Sequence, residues 1–212
     1  MLKIALLPID ECNILRLAKE SGLADSMKLN LEFISYDAMM DIDTAIISNT
    51  AHIYFSDSLR ICRIKEDSLR PTLLLPVPTR FSLVANAEKK IDSITDLHTR
   101  MVGGTRWSQL EEYLLSLIDS TPENQNEIYH VQINSIPLRF RMITDGLLDA
   151  AIIPQPWADS LSAMGHNTLC DTLLCGMGLY ISPMALKDST LLRQAQILRK
   201  LYAKALNTDK AN

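Results

Sequence analysis

Residues able to do chemistry are sparse in this chain of 212 residues, and their spacing matches none of the common catalytic patterns. No G-x-S-x-G nucleophile elbow, H-E-x-x-H zinc helix or G-x-x-x-x-G-K-[ST] phosphate loop occurs. Seven glycines leave little material for a loop that cradles phosphate. The histidines His52, His98, His130 and His166 are scattered, and each taken alone reads as structural or surface. Asp41 and Asp43 lie two apart inside an expected helix, which points their carboxylates away from each other and makes a weak metal signal. Cys12, Cys62, Cys170 and Cys175 contain no C-x-x-C pair. Isolated buried thiols are the expected state, and a Cys170–Cys175 disulfide stays open for an exported protein. No cofactor and no metal is expected.

One stretch does suggest a binding surface. Ile143-Thr-Asp-Gly-Leu-Leu-Asp-Ala-Ala-Ile-Ile-Pro-Gln-Pro-Trp157 reads as a helix closed by Gly146, then a buried strand over Ala150 to Ile153. Pro154 and Pro156 stop the strand and leave Gln155 and Trp157 at its carboxyl end, where open α/β sheets collect ligands. The plainer reading is a buried strand that leaves its sheet through a proline turn.

The hydrophobic fraction of 47% and charged fraction of 22% are those of a globular chain, long enough for one large domain or two small lobes. A net charge of -4 gives no basic footprint for nucleic acid. No apolar run approaches the roughly 20 residues that span a bilayer. The run Met1-Leu-Lys-Ile-Ala-Leu-Leu-Pro8 is too short for a signal peptide and reads as a first strand. The protein is then either cytoplasmic or a mature form whose export signal has been removed.

The elements alternate. Strands are expected at Lys3 to Pro8, Lys28 to Ser35 and Thr50 to Phe55, each followed by a helix, with Asp10, Asp37 and Ser56 or Asp57 at the helix starts. This β-α-β-α-β-α order calls for a parallel sheet. Pro71 to Pro78 breaks the rhythm, and the strand Arg80 to Ala87 is expected to enter a second lobe. There Asp92 to Leu97 forms a capped turn, Met101 to Gly103 a strand, and Gly104 to Ser108 opens a long helix. A polar loop over Ser120 to Asn126, a strand over Glu127 to Ile133 and a helix with Pro137 in its first turn follow. Strands at Thr168 to Leu174 and Met177 to Ser182, a closing helix over Leu191 to Ala205 and a polar tail complete the chain. The segments Ile46 to Asp57 and Met142 to Pro154 share the order helix end, polar turn, apolar strand, then a helix start, an echo between the two lobes.

Four pieces of the chain, in order, carry a family resemblance. They are Leu2-Lys-Ile-Ala-Leu-Leu-Pro8, Ala18-Lys-Glu-Ser-Gly-Leu23, Ser93-Ile-Thr-Asp-Leu97 ahead of Met101-Val-Gly-Gly104, and Asp145 to Trp157. Together they resemble the type 2 periplasmic-binding-protein-like fold, in particular the substrate-binding components of ABC importers of the nitrate/sulfonate/taurine and thiamine-pyrimidine-precursor group. The resemblance reaches roughly to Ser182. Arg106 and Trp107 depart from it, since the family usually has small residues there, and its members are usually longer.

The resemblance implies an α/β fold of two lobes, residues 1–84 with 172–212 and residues 85–171, each a mostly parallel sheet flanked by helices. Hinge strands near Leu83 to Asn86 and Cys170 to Leu173 would let the lobes close on a ligand. Contacts would come from loops at strand carboxyl ends: Asp10, Glu11, Tyr36, Asp37, Ser56 and Asp57 on lobe one, and Gly104, Thr105, Arg106, Trp107, Asn134, Gln155 and Trp157 on lobe two. Asp10, Asp37 and Asp57 either cap helices or face the ligand. Arg106 either pairs with an anion or is solvated, and the two tryptophans either stack a flat ring or pack the core. The implied function is capture of a small organic solute (an anion, an amine or a heteroaromatic) by a monomer that delivers it to a membrane permease. No catalysis is implied. The implied location is periplasmic or lipid-anchored outside the inner membrane, and cytoplasmic if Met1 is the native start. An enzyme on the same fold, of the menaquinone or thiamine-precursor type, is the alternative, and a ligand-sensing module the third reading.

Overall fold

A computed structural model of the chain describes residues 1–119 and 128–209. The chain divides into two compact units, Met1–Val77 with the segment from Gly176 onward, and Pro78–Cys175. The expected boundaries, 84 and 172, both fall inside the second unit. The chain passes between units at Val77–Pro78 and again at Cys175–Gly176.

In the first unit β1 (Leu2–Leu6) leads to α1 (Asp10–Glu20) and the short α2 (Leu23–Ser26), then β2 (Leu31–Ser35), α3 (Met39–Ile47), β3 (Ile53–Asp57), α4 (Ser58–Cys62) and β4 (Thr72–Pro76). The second unit holds β5 (Thr79–Ala85), β6 (Met101–Gly104), α5 (Gln109–Asp119), β7 (Tyr129–Gln132), α6 (Ile136–Thr144), β8 (Ala150–Pro154), α7 (Trp157–Ala163) and β9 (Asn167–Leu174). Back in the first unit come β10 (Met177–Ile181), α8 (Pro183–Lys187) and α9 (Ser189–Asp209). The expected polar loop at Ser120 to Asn126, the start of the following strand at Glu127 and the end of the tail lie outside the described residues.

Each sheet has five strands, ordered β2-β1-β3-β10-β4 in one unit and β7-β6-β8-β5-β9 in the other. β1 is parallel to β2 and β3, while β10 is antiparallel to β3 and β4. The second sheet repeats this, with β6 parallel to β7 and β8 and with β5 antiparallel to β8 and β9. Four strands of each sheet thus run one way and one runs back, which gives the mostly parallel sheets flanked by helices that the sequence leads one to expect. The internal echo also has a structural counterpart, since β3 and β8 occupy the same position in their sheets.

Strand composition follows burial. β3, β8 and β10 are buried at every residue and read as unbroken apolar or small runs, while β4 is a sheet edge whose Leu73 is half exposed. Local signals set most of the helix ends. Asp57 caps α4 by accepting from the Leu59 N–H at 2.7 Å, and Ser135 caps α6 by accepting from Leu138 N at 3.3 Å with Pro137 in the first turn. Ser93 and Asp96 form the expected capping box over the 3-10 turn Ile94–Leu97. Gly146 ends α6 at φ 69°, a left-handed conformation that favours glycine. Two expected caps are corrected. The capping positions of α1 and α3 are Ile9 and Ala38, both extended, and neither offers a side-chain oxygen. β2 also begins later than expected, because α2 and a turn with Lys28 at φ 56° intervene.

All four cysteines are free thiols. Cys12 is buried as expected, but Cys62 and Cys175 are exposed, so the reading of uniformly buried thiols is corrected. Asp43, half of the weak metal signal, instead forms an ion pair with the buried Arg60 of α4.

Gly178 is where β10 meets the edge strand most closely. A Cβ at this position would lie 2.7 Å from the Leu75 carbonyl oxygen and 2.8 Å from Leu73 Cδ1. Backbone cannot give way as a side chain can, so Gly178→Ala is expected to cost about 1–3 kcal/mol, read from the urea midpoint, through displacement of β4.

Candidate functional site

The residues with unusual chemistry gather at the carboxyl edge of the second sheet. β7, β6 and β8 are parallel neighbours, so the loops that follow them share that edge. α5, leaving β6, packs on one face, where the Tyr113 hydroxyl donates to Cys170 Sγ at 3.8 Å. α6 and α7 lie on the other, where Gln155 Nε2 donates to Ser82 Oγ (3.3 Å) and to Asp159 Oδ1 of α7 (3.2 Å). Ser82 in turn donates to Asp171 at 2.6 Å, the strand neighbour of Cys170, whose side chain takes the opposite face. Since the chain leaves β6 and β8 toward opposite faces, the gap between these two strands is a topological switch point, where ligands collect in open α/β sheets.

Two successive glycines shape that gap. A Cβ on Gly103 would lie 2.6 Å from Leu148 Cδ1 and 3.7 Å from Arg139 Cγ. On the other face a Cβ on Gly104 would lie 2.8 Å from His130 Nε2. Lacking side chains, the strand end lets Leu148 close in on one face, with Arg139 beside it, and His130 on the other.

Arg139 is 1% exposed. Its Nη1 donates to the Ile152 carbonyl at 2.6 Å, and its Nε has no hydrogen-bond partner among the described residues. Ile152 lies one residue past the last β6–β8 pair, Gly103 with Ala151. Burial pulls the guanidinium down to about 10, which leaves it cationic at neutral pH.

On the opposite face Glu111 is the hub. Its carboxylate lies 3.3 Å from His130 Nδ1 and 4.0 Å from Arg106 Nε, and accepts from the Trp107 N–H at 2.5 Å. Arg106 Nη2 also donates to the His130 carbonyl at 3.4 Å. Burial lowers the His130 pKa, outweighing the raising effect of Glu111, with Arg106 and Arg139 lowering it further. A neutral imidazole that donates from Nδ1 to Glu111 presents Nε2 as an acceptor, and this atom is buried with no partner among the described residues.

Of the residues expected on this lobe, Gly104, Thr105, Arg106 and Trp107 come together in one turn. Thr105 is buried and accepts from Ser108 Oγ at 2.7 Å, and Trp107 is half exposed at φ 58°. Asn134 follows β7 and is partly buried. Gln155 is buried, with its Oε1 unpartnered. Trp157 begins α7, the helix start that the internal echo places after the strand, and meets Phe140 edge-on at 5.3 Å between ring centroids. In the first unit the ends of β2, β1 and β3 also share an edge, joined by the Tyr36 N–H donating to Leu6 O at 2.9 Å. Asp10 and Asp37 are exposed there. Glu11 is partly buried and receives the Tyr202 hydroxyl on its carbonyl at 3.1 Å, and the Tyr36 hydroxyl lies 3.4 Å from Thr50 Oγ1. Ser56 and Asp57 are fully buried; Asp57 is taken by its helix cap, and Ser56 Oγ has no partner.

Sequence reasoning missed Arg139, His130 and Glu111 as a group. Arg139 did leave a signal, since it stands between Ile136 and Ile143 on the buried face of α6, at i+3 and i+7 spacing. Glu111 and His130 are brought together only by the pairing of β6 with β7.

No protein-family model matches this sequence, and no curated protein matches it. Solved structures do. An alkanesulfonate-binding protein from Xanthomonas axonopodis pv. citri, bound to MOPS, is matched at a TM-score of 0.76 and 16% identity, over 99% of this chain and 75% of the other. A Candida albicans gene product described as exhibiting the generic periplasmic binding protein fold is matched at 0.71 and 12%, over 100% and 72%. An ancestral arginine-binding protein bound to arginine is matched at 0.64 and 15%, over 98% and 96%. The chain has the two-lobed, type 2 periplasmic-binding-protein fold. At these identities the match establishes the fold of the chain. It leaves the chemistry of the strand ends to be read from this chain's own residues. Among the described residues no helix of this binding-protein fold is long and apolar enough to cross a membrane.

The histidines of the fold predict a pH dependence. Burial lowers His130, and His52 and His166 likewise, below the usual 6.5. A group lowered in this way favours the folded state while the imidazole is neutral. Its contribution is fully present above the unfolded pKa and is lost as the pH falls through the folded value. The urea midpoint is therefore expected to drop between about pH 7.5 and 5.5, and His130→Gln should make that drop shallower.

Proposed function

We propose that this protein is a solute-binding protein that captures a small organic molecule at its strand carboxyl ends and delivers it to the permease of an ABC importer. The observation that carries the reading is the match to binding-protein structures across nearly the whole chain, both sheets included. One of those structures is an alkanesulfonate-binding protein bound to MOPS and another is bound to arginine, so the fold alone does not select the solute. Selection falls to the edge residues, with Arg106, Trp107, Asn134, Gln155 and Trp157 on one lobe and Asp10, Glu11, Tyr36, Asp37, Ser56 and Asp57 on the other. Gly104 and Thr105 shape the turn between them in sequence. The solute is an anion, an amine or a heteroaromatic; the protein acts as a monomer, outside the inner membrane in the periplasm or on a lipid anchor.

One observation favours an enzyme instead. The Glu111–His130 pair has the arrangement of a general base, a carboxylate on Nδ1 with Nε2 left as acceptor.

A thermal-shift screen of sulfonates, pyrimidines and amines separates the two. A solute present at a hundred times its Kd is expected to stabilise the fold by about 2.7 kcal/mol. The same solute, recovered after overnight incubation, should be chemically unchanged by mass spectrometry. Conversion of the compound, abolished by His130→Gln, would replace the binding reading with the enzymatic one.

A further inference from the structure

We propose that the open edge of β4 and the basic flank of α9 together form a docking site for an extended acidic segment of a partner protein. The site lies wholly within the first unit, and the inference is independent of the solute-binding reading above.

Both sheets have two edge strands, and three of the four edges carry charged or polar guards. On β2, Lys19 Nζ donates to the Leu31 carbonyl at 2.8 Å, and Arg16 and Lys19 both lie over the Phe33 ring. β7 carries His130 beside Glu111, and β9 carries Asp171 beside Arg80. β4 is the exception. Thr72-Leu-Leu-Leu-Pro76 holds no charged residue, Leu73 is half exposed, and β10 pairs with the strand on one side only. Its outer backbone groups face no strand among the described residues, so donors and acceptors stand ready for an added chain. The pairing with β10 skips Leu74, and this bulge, with Pro76 at the strand end, keeps the open edge short.

Charge selects the occupant. Beside this edge lies a groove of about 520 Å³, lined by Leu75 of β4 and by Gln196, Arg199, Lys200 and Ala203 of α9. In a chain of net charge -4, α9 holds Arg193, Arg199, Lys200 and Lys204, and its only acid is Asp209 at the last position. Among the described residues neither Arg199 nor Lys200 forms an ion pair. An extended segment laid along β4 would satisfy the edge backbone, and carboxylates on it would meet these two cations. A second copy of the chain fits poorly. Two β4 edges paired about a two-fold axis would place both α9 helices on one face of the seam, cation against cation. A lipid surface fits poorly too, since it would need apolar residues among the cations. Those between them in the groove are the exposed Gln196 and Ala203, while Leu198, Leu201, Tyr202 and Ala205 are buried.

The test uses the full chain with a dye-labelled synthetic peptide of alternating glutamate and valine, and a lysine–valine peptide as control. Binding is read by fluorescence anisotropy, and backbone hydrogen exchange is followed by mass spectrometry with and without peptide. The expected result is saturable binding of the acidic peptide that weakens as salt is raised, with slowed exchange at residues 72–76. The double variant Arg199→Glu, Lys200→Glu should bind at least about 10-fold more weakly, and Arg141→Glu, an exposed arginine of the second unit, should bind as the wild type does. Should the charge reversal fail to fold, Arg199→Gln with Lys200→Gln takes its place and should weaken binding in the same direction. No saturable binding of the acidic peptide overturns the proposal. So does equal binding by the double variant, equal binding of the lysine peptide, or binding that leaves exchange at 72–76 unchanged. A dimer that protects 72–76 without peptide would assign the edge to a second copy instead. Sedimentation with phosphatidylglycerol vesicles, lost in the double variant while no peptide binds, would assign the face to lipid, and either result overturns the proposal.

Discussion

Both sheets depend on the same hydrogen-bonding constraint. The inner edges of β3 and β4 each present a row of backbone donors and acceptors, and these are satisfied by a single strand, β10, inserted antiparallel between them. β5 does the same for β8 and β9. Each inserted strand directly follows the edge strand of the other sheet in sequence, so β4 leads into β5 and β9 into β10. The fourth position of each sheet is therefore filled by the segment that has just left its counterpart. Gly178 shows how tightly this insertion is made, with Leu75 backbone at a distance where no Cβ fits. An unfilled gap there would leave two open strand edges, which are costly when buried and prone to pair with other chains when exposed.

Once the sheets close, their chemistry is set by what the strand ends leave unfilled. In the second unit, β6 ends in two glycines, and the space they leave is taken by Leu148 on one face and by the partly buried His130 on the other. The histidine is oriented by Glu111, which also holds the Arg106–Trp107 turn. Arg106, which the sequence offers as the anion-binding group, is thereby supplied with a carboxylate within the chain. Arg139, which carries no signature beyond its spacing, instead donates to the neutral Ile152 carbonyl. Arg106 lies exposed in the turn ahead of α5, with Glu111 of that helix close by, whereas Arg139 stands on the buried face of α6.

The architecture was legible because its signals are local. Alternating strand and helix patterns, the Pro71–Pro78 break, the Ser93 capping box, Pro137 and Gly146 each mark a boundary that the fold respects. Signals that need a neighbour were misread. Asp10 and Asp37 have the right side chain beside a helix start, yet the extended residues Ile9 and Ala38 hold the capping positions. The domain boundaries were displaced by several residues because β5 and β9 look alike in either sheet, and only pairing tells which sheet owns them. The internal echo marks a helix start after β8, and α7 begins there at Trp157. The Glu111–His130 pair depends on strand register, which periodicity along the chain does not encode.

The second unit is one uninterrupted stretch, Pro78–Cys175, while the first is built from both ends of the chain. During synthesis the two therefore mature in an order opposite to their numbering. The second sheet has all its strands when Leu174 emerges from the ribosome. The first has four strands in hand by Pro76 and must wait about a hundred residues, several seconds at ~5–20 residues per second, for the one that joins them. Through that interval β4 has no partner, and the half-exposed Leu73 sits on it. A nascent chain of this protein is most exposed to misassembly during those seconds, and a holdase that shields residues 72–76 would act within that window.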